Sequence, residues 1–272
     1  MALNSKLQTI LLKAKEDVYS HLSGGNLSRI LGEGYDFAEL REYETSDDIR
    51  HISWINSAKL GEPYVKKMHE ERELNVAVCS ILDGRFLVGD KQELLTYVVA
   101  VLAYSTHKAN DLFSPTLLLG SRMKHYEATK NLYAIENYLK ELGTAKLLGT
   151  KSDYKCFSSL TLQTKHLLFV VGDFLEEVDL SILAQKHEVV VLIIRDSVEE
   201  NPQVTLEEQL INPQTNHPIS QTLSKKVINH YKAKLQEHDR KLYEHFYAYN
   251  IRFVKVYEKE EVLKSLKQLF SS

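Results

Sequence analysis

The chain has 272 residues, 43% of them hydrophobic and 26% charged, and a formal net charge of −3. That length buries a sizeable core without staples, and the missing basic surplus argues against nucleic acid as a partner. Cys79 and Cys156 stand far apart, in neither disulfide nor zinc spacing, and no apolar run approaches the roughly 18 residues that span a bilayer; the expectation is a cytoplasmic protein in a reducing compartment, with no transmembrane segment.

In chain order, Leu3, Leu7, Ile10, Leu11 and Leu12 alternate with Lys6, Lys13, Lys15, Glu16 and Asp17. This predicts an amphipathic helix over residues 3–21 rather than a signal peptide. Residues 21–34 read as a flexible lead-in whose glycines form no phosphate-binding loop pattern. From Gly34 to Arg72, charges and aromatics alternate too closely for an amphipathic helix or a clean strand period. Arg41, Arg50 and Arg72 are interleaved with Asp36, Glu39, Glu42, Asp47, Asp48, Glu70 and Glu71, and the only tryptophan, Trp54, sits among them. Such a segment reads as turns and short strands pinned by Arg–carboxylate forks.

Beyond it, residues 75–82 form an apolar run ending at Asp83, the mark of a strand covered on both faces, with Cys79 as a small buried hydrophobe. Helical spacing follows over residues 91–110, then two short strands (115–119 and 124–127) around Gly120-Ser121, and a helix from 132 to 142 stopped by Gly143. The alternation continues with a strand at 167–171 ending in Gly172-Asp173, a helix at 180–186, and a strand at 188–194 ending near Asp196. A polar excursion follows, with possible strands over 204–211, then a long helix at 220–249, a strand at 251–256 and a closing helix at 260–270. The fold class is therefore α/β, with a mostly parallel central sheet flanked by helices. Two parts are expected: residues 1–72, packed as helix and charged segment on a main domain of residues 73–272.

In open α/β sheets, function collects beyond the carboxyl ends of the strands, where this chain carries Asp83, Asp173 and Asp196. Three aspartates on one rim are a conceivable Mg²⁺ site, although aspartate after a strand is also an ordinary helix or turn cap. His238 falls in the apolar stripe of the long helix, as a packing residue does, and His51 lies in the charged segment. No nucleophile elbow occurs.

The blocks Tyr35-Asp36-Phe37, Leu40-Arg41-Glu42-Tyr43, Asp47-Asp48-Ile49-Arg50, Trp54, Tyr64-Val65 and Glu70-Glu71-Arg72, with the strand ending at Asp83, Gly172-Asp173-Phe174-Leu175 and Lys186-His187-Glu188-Val189, resemble the signature of domain-of-unknown-function family fifty-eight. A weaker echo is Asn212-Pro213-Gln214-Thr215. The resemblance implies a von Willebrand factor A-like domain and an accessory protein of a MoxR-type AAA+ ATPase, in the assembly, maturation or metal loading of client proteins. It also locates a departure. The working metal-ion-dependent adhesion site of such domains begins Asp-x-Ser-x-Ser, whereas this chain reads Asp83-Gly84-Arg85-Phe86-Leu87. Leucine has no ligand atom and a guanidinium is a fixed cation.

The resulting expectation is a non-catalytic, protein-binding adaptor with a degenerate adhesion site at Asp83, Arg85 and Asp173, in which Arg85 replaces the ion; no cofactor and no metal are assigned. Tyr35, Asp36, Arg41, Tyr43, Asp47, Asp48, Arg50 and Trp54 are the candidate docking residues, of the types that dominate binding hot spots. The competing expectation is a Mg²⁺-dependent phosphoesterase or nuclease using Asp83, Asp173 and Asp196.

Overall fold

The computed structural model describes residues 2–21, 39–44, 47, 49, 52–67, 74–160, 162, 164–202, 210–219 and 224–270. Residues 22–34 of the lead-in, Tyr35, Asp36, Asp48, Arg50, His51, and residues 204–209 and 220–223 of the expected elements lie outside them.

Helix α1 (Ala2–His21) places Leu7, Ile10, Leu11, Ala14 and Val18 on one buried stripe at three- and four-residue spacing. Strand β1 (Glu39–Glu42) pairs antiparallel with β2 (Tyr64–Lys67), and between them stands α2 (Trp54–Leu60), closed by Gly61 at φ 84. The sequence pattern gave no sign of α2 because the helix buries none of its residues; without a covered face there is no apolar stripe to read.

The main body runs β3 (Asn75–Leu82), α3 (Lys91–Lys108), β4 (Leu112–Leu119), β5 (Arg122–His125), α4 (Leu132–Thr144), β6 (Leu167–Gly172), α5 (Ser181–Lys186), β7 (Glu188–Ile194) and α6 (Ser197–Glu200). The antiparallel pair β8 (Leu210–Asn212) and β9 (His217–Ile219) follows, then α7 (Lys225–Ala248), β10 (Arg252–Val256) and α8 (Val262–Phe270). The sheet order is β10-β7-β6-β3-β4-β5, parallel except for the edge strand β5. Counted from β3, this is the doubly wound order 3-2-1-4-5-6, whose direction of winding reverses between β3 and β6. The expected mostly parallel α/β sheet is the observed fold.

Strand periodicity divides two cores. Val76, Val78 and Leu82 face one layer with Phe169 and Val171, while Ala77, Cys79 and Ile81 face the other with Leu168 and Val170. The first layer is covered by α1, α3, α4 and α8, the second by α5, α7 and the 3-10 turn Tyr154–Ser159. Burial pushes the Cys79 thiol up to about 12, the behaviour of a small hydrophobe. Because α1 lies across the outer face of α3, even residues off its sheet-facing stripe are buried, among them Tyr97, Val101 and Tyr104. The Tyr97 hydroxyl donates to the Asp17 carboxylate of α1.

Several boundaries differ from expectation by a few residues, with β4 beginning at Leu112 and β5 running Arg122–His125, and for α4 the cause is steric. Gly143 does not stop α4, which continues to Thr144. A Cβ at position 143 would stand 2.4 Å from Leu7 Cδ1, so this glycine admits the side chain of α1 rather than terminating a helix.

Candidate functional site

The reversal point between β3 and β6 is the place where doubly wound sheets open a crevice. Asp83 follows β3 and Asp173 follows β6, both fully buried. Between them lies Arg85, held in the 3-10 turn Gly84–Leu87 that Asp83 itself caps.

Asp83 accepts five hydrogen bonds. Its Oδ1 takes the Arg85 backbone N–H (2.9 Å) and Nε (3.2 Å); its Oδ2 takes Arg85 Nη2 (2.8 Å), the Ser152 backbone N–H (3.1 Å) and Gln214 Nε2 (3.0 Å). Burial pushes its carboxyl upward, but the Arg85 charge and these donors outweigh burial and hold it below the usual carboxylate range. Asp173 accepts from the Tyr154 hydroxyl (3.2 Å) and the Leu175 backbone N–H (3.3 Å) at Oδ1, while Oδ2 lies 3.1 Å from Arg85 Nε and 3.7 Å from Lys91 Nζ. That Oδ2 accepts no aligned hydrogen bond among the described residues; charge alone holds it.

Lys91, 1% exposed at the first position of α3, pairs with Glu199 Oε2 at 2.8 Å and lies 5.4 Å over the Phe86 ring. A lysine there opposes the helix dipole, so it stands in this position only because Glu199 and Asp173 surround it. Burial raises the Glu199 carboxyl, with Lys91 pulling the other way. Glu176 approaches both Arg85 Nη1 and Lys151 at 3.6 Å.

A divalent ion does not fit these residues. The guanidinium already bridges the two aspartates, and an added ion about 4 Å from it would meet repulsion of about 8 kcal/mol, twice the unit-charge value at an effective dielectric of about 20. Among the described residues, no three His, Cys, Asp or Glu side chains converge to hold a metal. Asp196 stands apart from the Arg85 pairings: its Oδ1 caps α6 by accepting from the Val198 and Glu199 backbone N–H groups (2.8 and 3.2 Å), the ordinary role of aspartate after a strand.

Two features frame the rim. Phe174, directly after Asp173, has φ 50, rare for a bulky residue. Its carbonyl accepts from His238 Nε2 at 2.8 Å, and its ring packs on Tyr154 and Phe246; His238 is thus a hydrogen-bonded packing residue. From the other side, the turn between β8 and β9 covers Gly84, whose Cβ would stand 2.2 Å from the Pro213 carbonyl oxygen.

In the charged segment, Arg41 Nη2 pairs with Asp47 Oδ1, and Asp47 Oδ2 accepts from the Glu44 backbone N–H at 2.9 Å. The Tyr43 backbone N–H donates to Pro63 O at 2.8 Å. Trp54 and Ile55 are 68% and 75% exposed on α2, with Ile49 and Leu60 also exposed. Among the described residues, no hydrogen bond or ion pair of the Arg85 cluster reaches this segment.

Sequence reasoning singled out Asp83, Arg85 and Asp173 but not Lys91, Tyr154, Ser152 or Glu199. The local sign of Lys91 is a lysine at the opening of a helix, the end where the dipole favours acidic residues. Sequence offers Gln214 only within the family echo Asn212-Pro213-Gln214-Thr215, and in the structure its Nε2 donates to Asp83.

Residues 39–241 match the family described as protein of unknown function DUF58. The chain belongs to this family. Relatives of the chain include uncharacterized proteins of Mycobacterium tuberculosis (strain H37Rv) and Mycobacterium bovis, each 23% identical over 207 residues, 71% of this chain and 65% of theirs. The chain thus spans about 65% of the length of the curated relatives it matches. Similar solved structures are a conserved hypothetical protein BatB from Bacteroides thetaiotaomicron (14% identity, 73% of this chain and 97% of that one, TM-score 0.42) and an aerotolerance-related membrane protein from Bacteroides fragilis (12%, 73% and 98%, 0.43). A von Willebrand factor type A protein from Catenulispora acidiphila is 7% identical over 73% of this chain and 42% of that one, with TM-score 0.35. Among the described residues of this DUF58 chain, no helix is long and apolar enough to cross a membrane.

Proposed function

We propose that this chain is a non-catalytic, protein-binding adaptor resembling accessory proteins of MoxR-type AAA+ ATPases, with a degenerate adhesion site. The observation that carries the reading is Arg85, a tethered cation paired with both Asp83 and Asp173. An arginine that fills the crevice between the rim aspartates leaves recognition surfaces but no water-activating ion. The exposed Trp54 and Ile55 of α2, in the same chain segment as the Arg41–Asp47 pair, supply the kind of anchor that dominates protein interfaces. In this reading residues 1–72 carry the docking segment and residues 73–272 the main domain; Tyr35, Asp36, Tyr43, Asp48 and Arg50 complete the docking set.

The test is affinity capture from native bacterial lysate with the full chain, with and without ATP. A AAA+ protein is the expected catch, reduced at least tenfold by Trp54→Ala with an unchanged melting temperature. Metal-dependent turnover of a generic phosphoester that Asp173→Asn abolishes overturns the reading.

A further inference from the structure

Next to the Arg85 cluster lies a groove of about 400 Å³ between the 3-10 turn Tyr154–Ser159 and α5, within the roughly 300–1,000 Å³ of ligand pockets. Its floor is Tyr154, Phe157, Val178 and Leu183, all members of the second core, and its outer edge is Ile182, 55% exposed on α5. The floor is anchored by core packing, so the groove is a standing feature of the surface. Tyr154 belongs to both sites: its ring lines the groove while its hydroxyl donates to Asp173 Oδ1 and accepts from Arg85 Nη2 at 3.5 Å.

The rim has a sign. Between Asp173 and Leu180 the chain places Glu176, Glu177 and Asp179 and no basic residue. Glu176 is engaged by Arg85 and Lys151. Asp179 accepts from the Ser181 backbone N–H and keeps a side chain 74% exposed, 3.8 Å from His245. Glu177 is exposed and has no ion-pair partner among the described residues. Lys155 is the only cation among the groove's described lining residues, against two carboxylates, Glu177 and Asp179. The complement of an apolar floor and an acidic lip is a bulky apolar side chain flanked by positive charge.

We propose that this groove is a peptide-docking site that takes a leucine- or phenylalanine-sized side chain flanked by lysine or arginine from a client protein. The proposal rests on the adaptor reading and names the chemistry of the segment recognised. Burying one such side chain is the hydrophobic part of the grip; the lip selects by charge and responds to salt.

The experiment uses the full chain and three fluorescein-labelled hexapeptides, Lys-Lys-Leu-Phe-Lys-Lys, Glu-Glu-Leu-Phe-Glu-Glu and Lys-Lys-Ser-Ser-Lys-Lys, read by fluorescence anisotropy at 50 and 500 mM salt. The first peptide is expected to bind at least tenfold tighter than the other two at low salt, and to lose most of that advantage over the Glu-flanked peptide at high salt. Ile182→Arg and Glu177→Lys, both at exposed positions, are each expected to weaken it at least tenfold while the melting temperature holds. Equal binding of the three peptides, or affinity unchanged by both substitutions, overturns the proposal. Lysate capture keeps the two readings apart: a AAA+ protein caught without selective peptide binding sinks the groove alone. Selective peptide binding without such a catch sinks the ATPase-accessory reading and leaves the groove standing.

Discussion

In the proposed reading Arg85 stands where an exchangeable ion would, as a side chain that has no way to leave, and this changes what the site costs to disturb. Its side chain is 12% exposed and is paired with two fully buried carboxylates. Removing one partner of a buried ion pair typically costs about 3–5 kcal/mol, because the remaining charge is stranded. Arg85→Ser is therefore expected to lower the urea midpoint by a comparable free energy. The double variant Arg85→Ser with Leu87→Ser regains the Asp-x-Ser-x-Ser order, so millimolar Mg²⁺ should recover part of its lost melting temperature and leave the unsubstituted chain unchanged. Recovery in neither protein, or in both, contradicts the claim that the guanidinium stands in for the cation. This triad was legible in the sequence because Asp83 and Asp173 end recognisable buried runs and Arg85 lies two residues from one of them. Lys91, Tyr154 and Ser152 were not, because their partners are 108, 19 and 69 positions away, distances over which no local pattern records who meets whom.

Among the elements, the β8–β9 turn is the one that folds over the Asp83 rim. Three contacts bring it down: Gln214 Nε2 on Asp83, the Gly149 backbone N–H on Pro213 O at 2.8 Å, and the close approach of that same carbonyl to Gly84. Gly84→Ala would put a methyl group 2.2 Å from backbone oxygen, which a flexible side-chain shift cannot relieve. Overpacking of this kind costs about 1–3 kcal/mol. The expected response is local as well as global: faster hydrogen exchange at the Gly149 amide, with the β3 amides still protected. Unchanged exchange at Gly149 would mean that the turn is fastened elsewhere. The same steric logic separates what element patterns reveal from what they conceal. Strand ends were readable to within a few residues, since each run is bounded by charge or glycine. Gly143 looks like a stop in the local pattern but is not one, because its role is set by Leu7, a residue more than a hundred positions earlier on α1.

Across the whole molecule, charge chemistry concentrates at the carboxyl rim, while the opposite end of the sheet carries a histidine pair. His166 and His187 precede β6 and β7, are 9% and 5% exposed, and lie 5.7 Å apart between ring centroids. His187 Nδ1 accepts from the His166 backbone N–H at 3.3 Å, so that nitrogen must stay unprotonated for the contact to hold. Burial depresses the His187 value first, and the His166 and Lys186 charges depress it further. The sign follows from which state takes the proton more readily. The unfolded chain binds it near pH 6.5, whereas the folded chain resists to lower pH; as pH falls through that window the unfolded state gains protons and stability is lost. Glu199, raised by burial above its ordinary value, works in the opposite direction, since its folded form takes the proton first. Total stability is therefore the wrong readout, and the difference between variants is the right one. His187→Asn keeps an acceptor near the Nδ1 position but cannot be charged. Urea midpoints measured at pH 7.5, 6.5 and 5.5 should show the unsubstituted chain losing more stability than the variant below about pH 6.5, with the two running parallel above it. Parallel behaviour at all three values would remove this pair from the acid sensitivity of the fold.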